Sequence, residues 1–235
     1  MTDTPARDAR EAILSRVRAA LADRPESPDR AGPHPARAGA GGDDLVARFV
    51  ERVEDYRANV TVVLGAPEHV VGPAVAAALA RHDAHDIVVP PGFPQEWVPE
   101  GVTVAPEPAD PDAVPDARAL AELDGVLTTC AAAIAETGTI VLDAGPGQGP
   151  RALTLIPDLH VCVVPASRIV PGVVQAVAAM RHSVDATRRP LTLISGPSAT
   201  SDIELDRVEG VHGPRRLEVV VVDDRPRARP EEPPV

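Results

Sequence analysis

Hydrophobic and polar residues form two patterns along the chain. Continuous apolar runs such as VTVVL at 60–64 lack polar alternation, which is typical of strands covered on both faces. Elsewhere apolar residues recur every three or four positions, which predicts amphipathic helices, as on the stripe formed by Leu45, Phe49, Val53 and Tyr56. The succession of strands and helices predicts one α/β domain built on a mostly parallel, helix-covered sheet.

Proline and glycine divide the chain into three parts. Thr4 followed by Pro5 is typical of a helix start, and this first helix should end before Pro25. Residues 25–42 are rich in Pro, Gly and Ala without an apolar period, which predicts a flexible linker. We therefore predict an N-terminal helix and linker at 1–42, the α/β domain at 43–224 and a disordered tail at 225–235.

The first half of the domain contains a predicted βαβ unit. The strand at 60–64 is followed by a helix expected to begin at Pro73 and by a strand at 87–90. Seven prolines punctuate residues 91–115, where only a short strand at 102–105 is expected. In the second half, strands are predicted at 160–164, 191–195 and 217–222, and one or two helical turns at 202–208.

Two apolar runs lie at the centre of the chain, at 126–129 and 139–142. Only nine residues join them, whereas a parallel crossover needs a dozen or more, so we expect an antiparallel pair. Glu136 would then lie at the carboxyl end of the first strand, and the glycine-rich loop at 145–149 would lie at the opposite edge of the sheet. The two motifs would not share one pocket.

Glu136 is the only charged side chain between these two runs. A carboxylate beside a buried sheet needs hydrogen-bond donors, because an unpaired buried charge costs several kcal/mol. Thr137, Gly138 and Thr139 could supply such donors. We therefore expect Glu136 to be either a satisfied structural acid or a catalytic group, with its three neighbours in contact with a ligand.

The glycine-rich loop has two readings. Its alternating glycines could approach a ligand phosphate, with Gln148 and Arg151 as functional side chains. However, the pattern lacks the strand-turn-helix context of a dinucleotide fingerprint and the GK[ST] of a P-loop. A structural turn is the other reading.

A second polar segment, SGPSATSD at 195–202, follows a predicted strand. In an open α/β sheet, ligands bind outside the carboxyl ends of the strands. A helix is expected to begin here, and its free N–H groups, together with Ser198, Thr200 and Asp202, would attract a carboxylate or phosphate. The alternative is that the segment only caps this helix. His212, between two glycines and just before the last strand, is the histidine predicted to face the ligand.

Charge and aromatic content argue against two classes of partner. The chain has 35 acidic and 23 basic residues and a net charge of -12, so attraction to nucleic acid or to an anionic membrane is not expected. Aromatic residues make up 2% of the chain, which leaves few platforms for stacking bases. The N-terminus lacks a secretory h-region and no apolar run could span a bilayer, so we expect a cytoplasmic protein.

The cysteines and histidines argue against a metal or redox centre within this chain. Cys130 and Cys162 each lie in an apolar run outside any C-x-x-C pair, which indicates a reducing compartment and no disulfide, zinc or iron–sulfur framework. No two histidines have metal-ligand spacing. We predict no bound metal and no cofactor, and we interpret both cysteines as small core residues.

Four motifs together resemble one known family. AIAETGTIVLDAGPGQGPR, HVCVVPASRIVP, ISGPSATSDIE and GVHGPRRLEVVVV resemble, in this order, the lactate-utilization protein C family, which is built on the LUD domain. The similarity covers roughly residues 60–223, and the N-terminal arm also resembles that of the family. The resemblance implies a fold similar to that of ribose-5-phosphate isomerase, glucosamine-6-phosphate deaminase and coenzyme A transferases.

The resemblance also implies a function. Members take part in oxidising L-lactate to pyruvate alongside two other gene products, at least one of which carries iron–sulfur clusters. The chain would then be a non-redox component of this system. It would bind a small carboxylate, a phosphate or a partner through Glu136, Ser198, Thr200, Asp202 and His212.

Two alternatives stay open. Ala-Glu-Thr-Gly resembles the Glu-Asn-Gly segment that holds the nucleophilic glutamate of coenzyme A transferases, although Thr137 departs from the asparagine. This likeness implies a stand-alone transferase or isomerase acting on a coenzyme A ester or a sugar phosphate, with Glu136 as base or nucleophile. A third possibility is a scaffold that relies on its N-terminal arm.

Overall fold

The computed structural model describes residues 4–22, 45–105, 116–201, 207–209 and 212–223. The predicted linker and tail lie outside these residues. The chain divides into two compact units, Met1–Arg37 and Ala38–Val235. No helix within the described segments has both the length and the apolar character needed to cross a bilayer.

The described residues form five α-helices and twelve strands. The helices are α1 (Thr4–Ala20), α2 (Leu45–Asp55), α3 (Pro67–Ala80), α4 (Ala117–Ala121) and α5 (Val173–Thr187). The strands are β1 (Asn59–Leu64), β2 (Asp86–Val88), β3 (Thr103–Val104), β4 (Gly125–Thr128), β5 (Ala132–Ile134), β6 (Thr139–Leu142), β7 (Leu159–Pro165), β8 (Ile169–Val170), β9 (Thr192–Ile194), β10 (Ala199–Ser201), β11 (Arg207–Glu209) and β12 (Arg216–Asp223).

The central sheet has six strands in the order β1-β12-β7-β4-β2-β3, and every neighbouring pair is parallel. A second sheet has the order β8-β5-β6-β9 and contains both parallel and antiparallel pairs. A separate hairpin joins β10 and β11. The predicted α/β class with a mostly parallel, helix-covered sheet is confirmed.

The elements stack in four layers. One face of the central sheet packs on α3, where Val161 and Val220 lie with Val75 in one apolar cluster. The other face packs on α2 and the second sheet, through a cluster that includes Cys162 and Ile140. The outer face of the second sheet is covered by α5. Both faces of the inner strands β4, β7 and β12 are thus buried, as continuous apolar runs require.

The predicted pairing of the runs at 126–129 and 139–142 is wrong. β4 belongs to the central sheet, whereas β6 belongs to the second sheet and pairs antiparallel with β5 and β9. Between the two runs the chain forms the short strand β5, which belongs to the second sheet. The chain therefore passes from the central sheet to the second sheet before β6 begins. The glycine-rich loop nevertheless lies apart from Glu136, because the two occupy opposite ends of β6.

Three further expectations need correction. Pro73 lies inside α3, which begins at Pro67, where a proline at the first turn loses no hydrogen bond. β1 is an edge strand with Val62 44% and Leu64 54% exposed, rather than a strand covered on both faces. Of the helical turns expected at 202–208, residues 202–206 lie outside the described part of the chain, and Arg207–Glu209 is a strand that pairs with β10.

Hydrogen bonds to a buried carboxylate connect the central sheet to the end of α3. Glu218 on β12 is 1% exposed and accepts hydrogen bonds from Asn59 at 2.7 Å and from the Nη2 of Arg81 at 2.5 Å. His82 Nε2 lies 2.7 Å from Oε1 of Glu218. His82 is therefore part of this network. We refer to Glu218, Asn59, Arg81 and His82 as the Glu218 network.

Candidate functional site

A chain of hydroxyl groups runs from the β5–β6 turn to the end of β9. The Oγ1 atoms of Thr137 and Thr139 are 2.7 Å apart, and Thr139 Oγ1 is 2.8 Å from Ser195 Oγ. Each hydroxyl can donate to one neighbour and accept from another. Thr139 is therefore bonded to both Thr137 and Ser195, and these hydroxyls do not converge on Glu136.

Glu136 is exposed and lies beside the start of α5. Its backbone N–H donates to the carbonyl of Pro171 at 3.1 Å. A methyl group built on Gly172, the residue that precedes α5, would lie 2.9 Å from Oε2 of Glu136, so the carboxylate is next to the helix N-terminus. A negative charge is stabilised at this end of a helix. This position favours the interpretation of Glu136 as a structural acid, and a catalytic role of Glu136 stays a prediction.

Replacement of Glu136 by glutamine is expected to lower the free energy of unfolding by about 0.3–1 kcal/mol at low ionic strength. Glutamine keeps the size of the side chain and removes only the charge. Urea unfolding at low and high salt would measure the effect, which should shrink at high salt. Glu51→Gln, in the exposed middle of α2, is the matched control and should change stability less. Equal effects of the two variants would contradict the helix-terminus role.

Gly138 brings the β5–β6 turn against α2. Its φ is +61°, and a methyl group built on it would lie 2.7 Å from the carbonyl carbon of Arg52. Only glycine fits this conformation and this distance without a shift of the helix. Packing against α2 is therefore sufficient to explain why the segment Ala-Glu-Thr-Gly ends in glycine.

The glycine-rich loop packs at the carboxyl ends of β2 and β4. Thr129 N–H donates to the carbonyl of Gly147 at 2.8 Å, and Gly147 N–H donates to that of Pro91 at 2.7 Å. Gln148 is buried, and its Oε1 accepts the N–H of Asp143 at 2.7 Å. These contacts favour the structural-turn reading of the loop. Ligand binding by Gln148 stays a prediction.

A cleft of about 280 Å³ lies between β9 and the amino ends of β7 and β12. We call it the β9 cleft. Polar side chains from four segments meet in it, and the lining includes Arg151, Thr154, His160, Ser195, Ser198 and His212. The segment at 195–202 follows the carboxyl end of β9, as expected. The cleft, however, lies at the amino edge of the central sheet, because its lining residues His160 and Leu217 are the second residues of β7 and β12.

Ser198 and His212, both predicted ligand-binding residues, are held together in the β9 cleft. Ser198 Oγ accepts the backbone N–H of His212 at 3.1 Å, and Ser198 N–H donates to the carbonyl of Pro214 at 2.8 Å. Thr200 lies on β10, so the expected helix start is absent there, and Asp202 lies outside the described residues. The described lining of the cleft does not include Glu136, so the structure does not bring Glu136 together with Ser198 and His212.

His160 is the site residue that the sequence reading missed. Its Nε2 is 2.7 Å from Thr128 Oγ1, while its buried Nδ1 has no hydrogen-bond partner in the described part of the protein. Burial lowers the pKa of His160 to about 4, so the ring is neutral near pH 7. One signal was available: His160 is the polar residue of the otherwise apolar run LHVCVV.

The two cysteines are buried and lack the properties of nucleophiles. Burial raises the pKa of the Cys162 thiol to about 12, and it raises the pKa of Cys130 well above its ordinary value. Both thiols are therefore protonated near neutral pH, whereas the thiolate is the reactive form. Among the described residues, no group of three His, Cys, Asp or Glu side chains could hold a metal ion.

Comparison with known proteins identifies the family. Residues 100–222 match the LUD domain. Over 224 residues, the chain is 44% identical to lactate utilization protein C of Deinococcus radiodurans, and the match covers 94% of this chain and 100% of that protein. The chain belongs to the LUD domain family. The resemblance inferred from the four sequence motifs is therefore confirmed.

Other LUD relatives are similar over shorter stretches. Lactate utilization protein C of Macrococcus caseolyticus is 43% identical over 95 residues, which are 39% of this chain and 41% of that protein. The crystal structure of a DUF162 family protein from Deinococcus radiodurans has a TM-score of 0.63 and 41% identity, and the match covers 76% of this chain and 96% of that chain. The fold of the LUD domain thus agrees with a solved relative.

Proposed function

We propose that the protein is a non-redox component of L-lactate utilization that acts together with iron–sulfur partner subunits. The observation that carries the proposal is the match to lactate utilization protein C of Deinococcus radiodurans, which extends over the whole length of that protein. The match covers 94% of this chain and is therefore not confined to one shared module. It supports a common role in the conversion of L-lactate to pyruvate.

The environment of the cysteines supports the non-redox part of the proposal. Iron–sulfur clusters are held by cysteine thiolates, usually four. The chain has two cysteines, and both are buried with raised thiol pKa values. The electrons released when L-lactate becomes pyruvate would therefore pass to a partner subunit.

The alternative of a stand-alone transferase or isomerase depends on Glu136 as base or nucleophile. A catalytic carboxylate of this kind would sit in a pocket next to its substrate and to an oxyanion site. Glu136 is exposed at the start of α5 and is not part of the described lining of the β9 cleft. This position does not favour the alternative.

Deletion of the gene in its source organism is expected to prevent growth on L-lactate as sole carbon source and to leave growth on pyruvate intact. Pyruvate is the matched control because it lies after the proposed step. A tagged full-length chain should restore growth and, purified from L-lactate-grown cells, should carry along a protein that contains iron and acid-labile sulfide. Unchanged growth of the deletion strain on L-lactate would contradict the proposed pathway. Purification without any iron-containing protein would contradict the partnership.

A further inference from the structure

The described lining of the β9 cleft contains a cation and no carboxylate. Arg151 is the charged side chain in it, His160 is neutral near pH 7, and no acidic side chain appears among the described lining residues, although the chain carries a net charge of -12. Arg151 is exposed, and no carboxylate among the described residues neutralises its guanidinium. A cleft of this composition attracts an anion.

The inner wall of the β9 cleft has an unused hydrogen-bonding group. His160 is 1% exposed, and its Nδ1 lacks a partner among the described residues. Buried polar atoms without partners are rare, since each costs free energy, and they often mark sites of function. When Thr128 Oγ1 donates to Nε2, the proton of the neutral ring lies on Nδ1, which then is a donor.

The size of the β9 cleft limits the ligand. Clefts for drug-sized molecules have volumes of roughly 300–1,000 Å³. At about 280 Å³, this cleft lies just below that range, so it can hold a small molecule but not a whole coenzyme A ester. The hydroxyls of Ser195 and Ser198 add neutral donors and acceptors for oxygen atoms beside the charged group.

We propose that the β9 cleft is a binding site for a small 2-hydroxy- or 2-oxo-monocarboxylate, in which Arg151 pairs with the carboxylate and His160 Nδ1 bonds to the oxygen on the neighbouring carbon. The choice of this ligand class rests on the proposed function. Arg151 supplies charge and paired N–H donors that match a carboxylate. His160 distinguishes ligands that carry the second oxygen from those that lack it.

Calorimetric titration of the full-length protein tests the ligand class. The probes are L-lactate, pyruvate, propionate and inorganic phosphate. We expect saturable binding of L-lactate or pyruvate, and we expect propionate, which lacks the second oxygen, to bind at least about tenfold more weakly. The absence of binding by both L-lactate and pyruvate would overturn the proposal, and so would propionate or phosphate binding as tightly as either.

Two further measurements test the assigned residues. Arg151→Gln should raise the dissociation constant by about tenfold or more, whereas Arg181→Gln, on the exposed surface of α5 at 83% exposure, should leave it unchanged. Because a substitution of the buried His160 could prevent folding, His160 is followed in the unaltered protein by ¹⁵N NMR of its imidazole. L-lactate or pyruvate should shift the Nδ1 resonance more than propionate does. Equal shifts, or equal dissociation constants of the two arginine variants, would overturn the assignment.

Failure of this inference can be told apart from failure of the proposed function. If the deletion strain cannot grow on L-lactate but the purified chain binds neither probe, only the cleft assignment fails. If the chain binds pyruvate or L-lactate through Arg151 but deletion leaves growth on L-lactate intact, only the pathway assignment fails.

Discussion

Substitution of Arg81 by alanine is expected to lower the free energy of unfolding by about 1.5–3 kcal/mol, the usual range for hydrogen bonds to a charged group. Arg81 is the cationic partner of Glu218, and its Nη2 lies 2.5 Å from Oε2 of that carboxylate. The Glu218 side chain is 1% exposed, so it cannot turn to water when the guanidinium is removed. Asn59 and His82 would still bond to it but would leave most of its charge uncompensated. Urea unfolding near neutral pH would measure the loss.

The same network makes stability depend on pH in a defined direction. Burial raises the pKa of Glu218, but hydrogen bonds from Arg81, His82 and Asn59 outweigh it and hold the pKa below its ordinary value of 4.5. Because the folded state then binds this proton less readily than the unfolded state, the contribution is present above pH 4.5 and is lost as pH falls through the folded pKa. The stability difference between the unaltered protein and Arg81→Ala should therefore shrink in acid.

Two variants sharpen this test. Arg181→Ala removes an arginine that is 83% exposed, and it should change stability by less than about 0.5 kcal/mol. Glu218→Gln should cost less than Arg81→Ala, because the Arg81 side chain is 41% exposed and can be solvated when its partner is gone. If Arg81→Ala behaves like Arg181→Ala, the network does not contribute to stability in the way that the structure indicates.

The central parallel sheet is predictable from sequence because its inner strands carry their own signal. The valines of β12 and the apolar run of β7 are continuous and β-branched, so strand structure and burial on both faces follow from composition. The run of β1 has the same composition, yet β1 lies at the edge. Tertiary packing decides the order of strands in a sheet, and the hydrophobic periodicity of the sequence contains no information about that order.

The second sheet could not be predicted for a physical reason. β5 consists of Ala132, Ala133 and Ile134, and alanine is depleted in strands. It is a strand because β6 and β8 pair with its two sides. A prediction that misses β5 joins β4 directly to β6. It therefore places Glu136 at the edge of the central sheet, whereas Glu136 lies at the edge of the second sheet.

Part of the candidate site follows from the sequence. Ser198 and His212 lie in polar, glycine-containing segments that flank predicted strands, and the structure brings them together in one cleft. His160 and Glu218 interrupt apolar runs, so the sequence marks both as unusual. Their roles depend on residues far away in the chain, such as Thr128 for His160 and Arg81 for Glu218, and these pairings exist only in the fold.

The second large effect is expected for Gly138→Ala, which should lower the free energy of unfolding by about 2–4 kcal/mol. The positive φ of Gly138, +61°, is strained for alanine, and the new methyl group would also lie 2.7–2.9 Å from Arg52 atoms, including its backbone carbonyl. Since α2 cannot move away without exposing buried Phe49 and Val53, part of the strain remains in the folded state. Thermal and urea unfolding would measure the change.

Gly101→Ala is the matched control for this second prediction. Gly101 has a φ of +84°, but a methyl group built on it meets no atom within 4 Å, so this variant carries only the conformational cost of about 1 kcal/mol. The difference between the two variants isolates the contact of the β5–β6 turn with α2. Equal losses of stability in the two variants would show that the β5–β6 turn is not packed closely against α2. The glycine of Ala-Glu-Thr-Gly would then need an explanation other than packing, and a ligand at this turn would again become a reasonable hypothesis.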